Sequence, residues 1–156
     1  MDADMEAEMF EQLEKSMAMV DKMFAVFRSK EALALVKCLE GSGKAAKSQA
    51  QKWTKATTHG AERFAKVREQ IKGHQQQQSP SSTMRLAREL IDTLLELNEG
   101  AAVVYTVMAS KAVVEAFREP CFEEFKPFVT KLYTQLAANL KSSSKLIREL
   151  VDEVLP

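Results

Sequence analysis

Residues 46–71 read "AKSQAQKWTKATTHGAERFAKVREQI". Within them Ala46, Ala50, Trp53, Thr57, Gly60, Phe64, Val67 and Ile71 recur at alternating steps of four and three. That is a heptad seam, the period of helices packed side by side at a shallow angle as in a coiled coil. Most of the basic residues fall off the seam, so they are predicted to face solvent. Gly60 lies on it, although glycine costs a helix about 1 kcal/mol relative to alanine. A glycine there is predicted to admit a bulky neighbour.

Upstream, Phe10, Leu13, Met17, Val20, Phe24 and Phe27 form a second helical stripe. It loosens at "RSKE" (28–31), where Ser29 is placed to cap a helix start. The expectation is one helix over residues 5–40, kinked near Ser29. The following "EGSGKAAKS" (40–48) invites comparison with a phosphate-binding loop, G-x-x-x-x-G-K-[ST]. The first glycine position holds Cys38, the hydroxyl position holds Ala45, and the preceding segment is helical rather than extended. "GSG" is therefore a turn, with Gly41 closing one helix and Ser42 predicted to cap the next.

Downstream, "GHQQQQSPSS" (73–82) offers nothing to bury, and Gly73 and Pro80 punctuate it, so it is predicted to be a flexible surface loop. A third helix follows, with Ala87, Leu90, Leu94, Leu97, Ala101, Val104 and Met108 inward and Ile91, Leu95, Ala102 and Tyr105 widening the face. It is expected to bend at Gly100 and to stop near Glu119, before Pro120. The last helix, from about residue 120 to 155, turns Phe122, Phe125, Val129, Leu132, Leu136, Leu140, Ile147, Leu150 and Val154 inward. Pro127 is tolerated only in its first turn. The whole predicts an all-α fold, an antiparallel up-down-up-down four-helix bundle, as a single domain over residues 1–156.

Net charge is zero, but the sign is unevenly spread. Asp2, Asp4, Glu6, Glu8, Glu11, Glu14 and Asp21 make the first helix acidic. Lys44, Lys47, Lys52, Lys55, Arg63, Lys66, Arg68 and Lys72 make the second basic. The two are expected to lie side by side, and neutrality overall argues against a nucleic-acid partner. The acidic N-terminus is unlike a secretory or mitochondrial leader, and the longest uncharged apolar run, residues 100–110, is far short of a bilayer span. A cytoplasmic protein is expected. Cys38 and Cys121 should then be reduced and mostly buried thiols at one end of the bundle.

Catalytic chemistry finds little footing. Di-iron bundles use E-x-x-H motifs, but the residues three before His59 and His74 are Ala56 and Ile71. Two cysteines far apart and two unpaired histidines give no zinc spacing. Neither a cofactor nor a metal is expected, and the chain is read as a non-enzyme. With His59 exposed, the plan is similar in architecture to histidine phosphotransfer domains. Those domains usually place lysine third and glycine fourth after the histidine, where this chain has Glu62 and Arg63. A phosphotransfer protein is thus a distant alternative.

The first expectation is an interaction or scaffold module that binds a partner helix or itself. Its candidate partner-binding residues are Met5, Met9, Met19 and Met23, because methionine-rich faces adapt to varied partners. The alternative is a bundle docking on a membrane surface through a basic face of Lys44, Lys47, Lys52, Lys55, Arg63 and Lys66.

Overall fold

The computed structural model describes residues 3–76 and 80–154, and these are helical almost throughout. They form α1 (Ala3–Phe27), α2 (Lys30–Glu40), α3 (Lys44–Gln76), α4 (Pro80–Ala109), α5 (Lys111–Ala116), a 3₁₀ turn (Pro120–Phe125) and α6 (Lys126–Val154). The all-α expectation holds. The described residues nonetheless make six α-helices rather than four.

The first extra break falls at Ser29. Its Oγ accepts from Ala32 N at 3.3 Å, which caps α2, while its own backbone is extended at ψ 164°. The expected kink is therefore a full interruption. Trp53 of α3 fixes it from the side: its indole Nε1 donates to the Phe27 carbonyl at 3.1 Å, and its ring packs edge-on against Phe27. The last carbonyls of a helix lack partners within it, and Trp53 satisfies one of them.

The second break falls at Ser110, expected to lie inside the third helix. Ser110 caps α5 by accepting from Val113 N. The chain then turns at Pro120 into the 3₁₀ segment, and Pro127 sits in the first turn of α6.

At the turn after α2, Gly41 N–H closes onto the Cys38 carbonyl and Ser42 N–H onto the Leu39 carbonyl. Ser42 does not cap α3. Its Oγ donates to the Cys38 carbonyl at 2.9 Å, finishing α2 instead. Gly43, at φ +99°, supplies the left-handed step that reverses the chain.

Both ends of the predicted loop, residues 73–76 and 80–82, are helical. Helix α3 continues through Gly73 to Gln76, because glutamine is a good helix former, and Pro80 opens α4 at the first helical position, where proline is favoured. Residues 77–79 lie outside the described residues, as do the side chains of Leu150 and Val154.

All eight seam residues of α3 face inward, seven buried and Ile71 half-buried. Helices α3 and α4 run antiparallel, with Arg63 beside Thr93 and the Ala56 carbonyl near Gly100. Helix α6 runs antiparallel to α4, joined through Asn98–Ser144 and Tyr105–Tyr133. The acidic α1 lies along the basic α3, and Arg68 pairs with Asp21 at 2.9 Å. The buried side chains form one hydrophobic cluster.

Phe24 is the centre of that cluster. Its ring lies against Gly60 of α3 and Gly100 of α4, and a Cβ at Gly60 would overlap ring atoms Cε1 and Cδ1. Gly60 thus admits the bulky neighbour its place on the seam predicts.

Helix α2 packs on the 3₁₀ turn, which brings Cys38 and Cys121 to the same end of the molecule. Both are free thiols. Cys38 is half-buried, but Cys121 is exposed rather than buried as expected. Loss of hydration pushes the Cys121 thiol up from its ordinary value. The Glu119 carboxylate at 3.8 Å and Cys38 add to this.

Candidate functional site: the groove between α3 and α4

The two candidate sets from the sequence fare differently. Met9 and Met23 are buried in the core, and Met23 Sδ accepts from Asn139 Nδ2 of α6 at 3.8 Å. Met19 is exposed, beside a small depression between α1 and α6. The side chain of Met5 lies outside the described residues. These methionines do not form one exposed face.

Of the basic residues, Lys44, Lys47, Lys52, Lys55 and Lys66 stand in solvent. Arg63 does not. Its side chain is only 11% exposed and reaches across to α4, donating to Thr93 Oγ1 at 2.7 Å and to Glu89 Oε1 at 3.2 Å. Its Nε also lies 2.7 Å from Glu96 Oε2, an ion pair off hydrogen-bond alignment. A guanidinium suits this place because its planar fork serves several acceptors at once. His59 is exposed as expected, with Nε2 3.5 Å from the same Glu96 oxygen.

These residues border a groove that the sequence alone did not reveal. Three depressions, of about 410, 500 and 590 Å³, follow the α3/α4 seam; the first adjoins the second at His59, Glu96 and Glu99, and the third at Lys52, Glu99 and Val103. The floor of the central one is apolar and low, made by Ala56, Gly60, Leu97 and Gly100 over the Phe24 ring. The α3 rim is basic (Lys52, Lys55, His59, Arg63, Lys66), and the α4 rim is acidic (Glu89, Asp92, Glu96, Glu99). Leu95 and Val103 stand on the α4 side at 41% and 38% exposure. Among the described residues Lys52, Lys55, Lys66, Asp92 and Glu99 make no ion pair, so both signs remain available.

The acidic rim had a signal in the sequence. Glu89, Asp92, Glu96 and Glu99 are spaced three, four and three apart, one stripe of a helix. Its place opposite the α3 lysines depends on how α3 and α4 register, which no local pattern encodes.

Among the described residues no group of three His, Cys, Asp or Glu could hold a metal ion, and no helix is long and apolar enough to cross a membrane. No family model, curated protein or solved structure matches the chain.

Proposed function

We propose that this chain is a non-enzymatic helical interaction module, built on a four-helix-bundle plan, whose α3/α4 groove receives an amphipathic helix. The observation that carries this is the apolar floor of small residues set between two rims of opposite charge. Glycine and alanine let a guest backbone come close. The lysine row selects acids on one flank of the guest, and the glutamate row selects bases on the other. This is helix-in-groove recognition, in which anchors repeat every three or four residues.

The acidic row also weighs against an anionic membrane as the docking surface. Glu89, Asp92, Glu96 and Glu99 lie in the same groove as the lysines, so a lipid surface approaching the basic rim meets repulsion beside attraction. Catalysis is less well supported, because the groove's charged groups stand in solvent or pair with one another.

A photo-crosslinking amino acid placed at Val103, with Thr130 on α6 as control, tests the assignment. Adducts from position 103 alone, mapping to a helical segment of the captured protein, support it. No adduct from position 103, or equal capture from both positions, overturns it.

A further inference from the structure

We infer that the occupant of the α3/α4 face is a second copy of this chain, related by a two-fold axis that runs parallel to α3 and α4 above the groove. This rests on the α3/α4 face being a docking surface and names the partner, whose own α3 and α4 take the place of a single guest helix, each lying over one rim of the groove.

The charge pattern selects the axis. A half-turn about a line parallel to two neighbouring helices exchanges left for right and leaves height unchanged. Helix α3 of one copy then lies over α4 of the other. Three contacts between α3 and α4 set the heights: Ala56 is level with Gly100, His59 with Glu96, and Arg63 with Thr93. By the same antiparallel register Lys52 and Lys55 stand level with Val103 and Glu99, and Lys66 with the Glu89–Asp92 turn. After the half-turn, Lys55 of each copy faces Glu99 of the other, Lys52 lies one turn further along the same rim, and Lys66 faces Glu89 and Asp92. A two-fold axis perpendicular to the helices would instead set lysines against lysines and carboxylates against carboxylates.

Both lysines, like Glu99, make no ion pair within the described part of their own chain, so pairing between copies breaks nothing. Val103 and Leu95, exposed on the same face, supply apolar surface between the charged rows.

The size of the face sets the strength. From Gln49 to Lys66 the groove is about 25 Å long at 1.5 Å per residue, and two helices are roughly 20 Å wide. The footprint is thus about 500 Å² on each copy, in the range of weak and transient contacts. The dimer is expected to be weak and to weaken further with salt as the Debye length shortens.

Sedimentation equilibrium on the full chain, from about 1 μM to about 1 mM, spans the affinities expected of so small an interface. The wild type should pass from its 17.5 kDa monomer to twice that mass. The double variant Lys52→Glu/Lys55→Glu should stay monomeric, since its glutamates now lie on the rim that faces Glu99 of the other copy. Glu99→Lys should stay monomeric for the converse reason. An equimolar mixture of the two should recover the dimer, because both crossed contacts are again opposite in sign. Circular dichroism, unchanged in both variants, shows that folding is not the cause. A wild type monomeric throughout, variants that dimerise like the wild type, or a mixture that stays monomeric would each overturn the dimer. If the chain is monomeric while position 103 crosslinks to a helix of another protein, the groove assignment survives and only this partner falls.

Discussion

A methyl group added at Gly60 would occupy space that the Phe24 ring fills, whereas one at Gly100 would meet Phe24 Cζ at 3.3 Å. The ring has little freedom to move aside, held at 5.1 Å by Phe27 and at 5.8 Å by Phe64. For Gly60→Ala two effects compete. Helix propensity favours alanine by about 1 kcal/mol, and overpacking a close-packed core costs about 1–3 kcal/mol. Overpacking should win, for a net loss of up to about 2 kcal/mol. Gly100→Ala needs a shift of only tenths of an ångström and should be close to neutral. Urea denaturation of both variants, and of Gly60→Ala in a Phe24→Leu background, measures the difference. The loss should shrink in that background, since the two sites share one space. Gly60→Ala as stable as the wild type would show that the ring swings away freely.

Polar contacts brace both the joint between α1 and α2 and the pairing of α4 with α6. Trp53→Phe keeps the aromatic packing on Phe27 but removes the donor to its carbonyl. A buried acceptor left unpaired costs about 1–3 kcal/mol. That loss, read by denaturation, should exceed the typical loss of about 1 kcal/mol for Ser29→Ala, which removes a cap at the half-exposed start of α2. Across α4 and α6, Tyr105 Oη donates to Tyr133 Oη at 2.8 Å, with the rings stacked at 4.5 Å. That hydrogen bond, then loss of hydration and the neighbouring phenol's charge, raises the Tyr105 pKa above the ordinary value. The folded state thus holds its proton more tightly than the unfolded chain. The contribution is fully present below about pH 10 and is lost as pH rises through the higher folded value. Tyrosinate absorbance should show one phenol ionising late, and Tyr133→Phe should bring Tyr105 back toward the usual range. Elements with a local cause were the legible ones. The seam of α3 could be read at every position because its period is carried by the segment itself. The break at Ser110 could not, since "VMASKAVVEAF" holds no glycine or proline and the outcome hangs on whether one hydroxyl bonds to Val113 N. Methionine chemistry pointed to α1, but burial of Met9 and Met23 depended on α6 and the rest of the core. The groove needed two helices in register.

For the molecule as a whole, Phe24 joins segments far apart in sequence. Its cleft exists only when Gly60 and Gly100 are already side by side, and α3 and α4 are consecutive antiparallel helices linked by a short connection. Contacts between such neighbours close at small loop entropy and form early, whereas α1 has nothing to dock against until they have formed. Assembly order is therefore written into the cleft: the α3/α4 hairpin leads and α1 follows. Stopped-flow chevrons should then divide the core in two. Phe24→Leu should leave the refolding rate nearly unchanged and accelerate unfolding, the signature of a contact made after the barrier. Leu94→Ala, within the hairpin, should slow refolding instead. A Phe24→Leu variant that refolds slowly would place α1 in the folding nucleus. Under the proposed order α1 is also the first segment to leave. Partial opening would then expose the underside of the two helices that form the groove, and the lifetime of the binding face would be set by how long α1 stays docked.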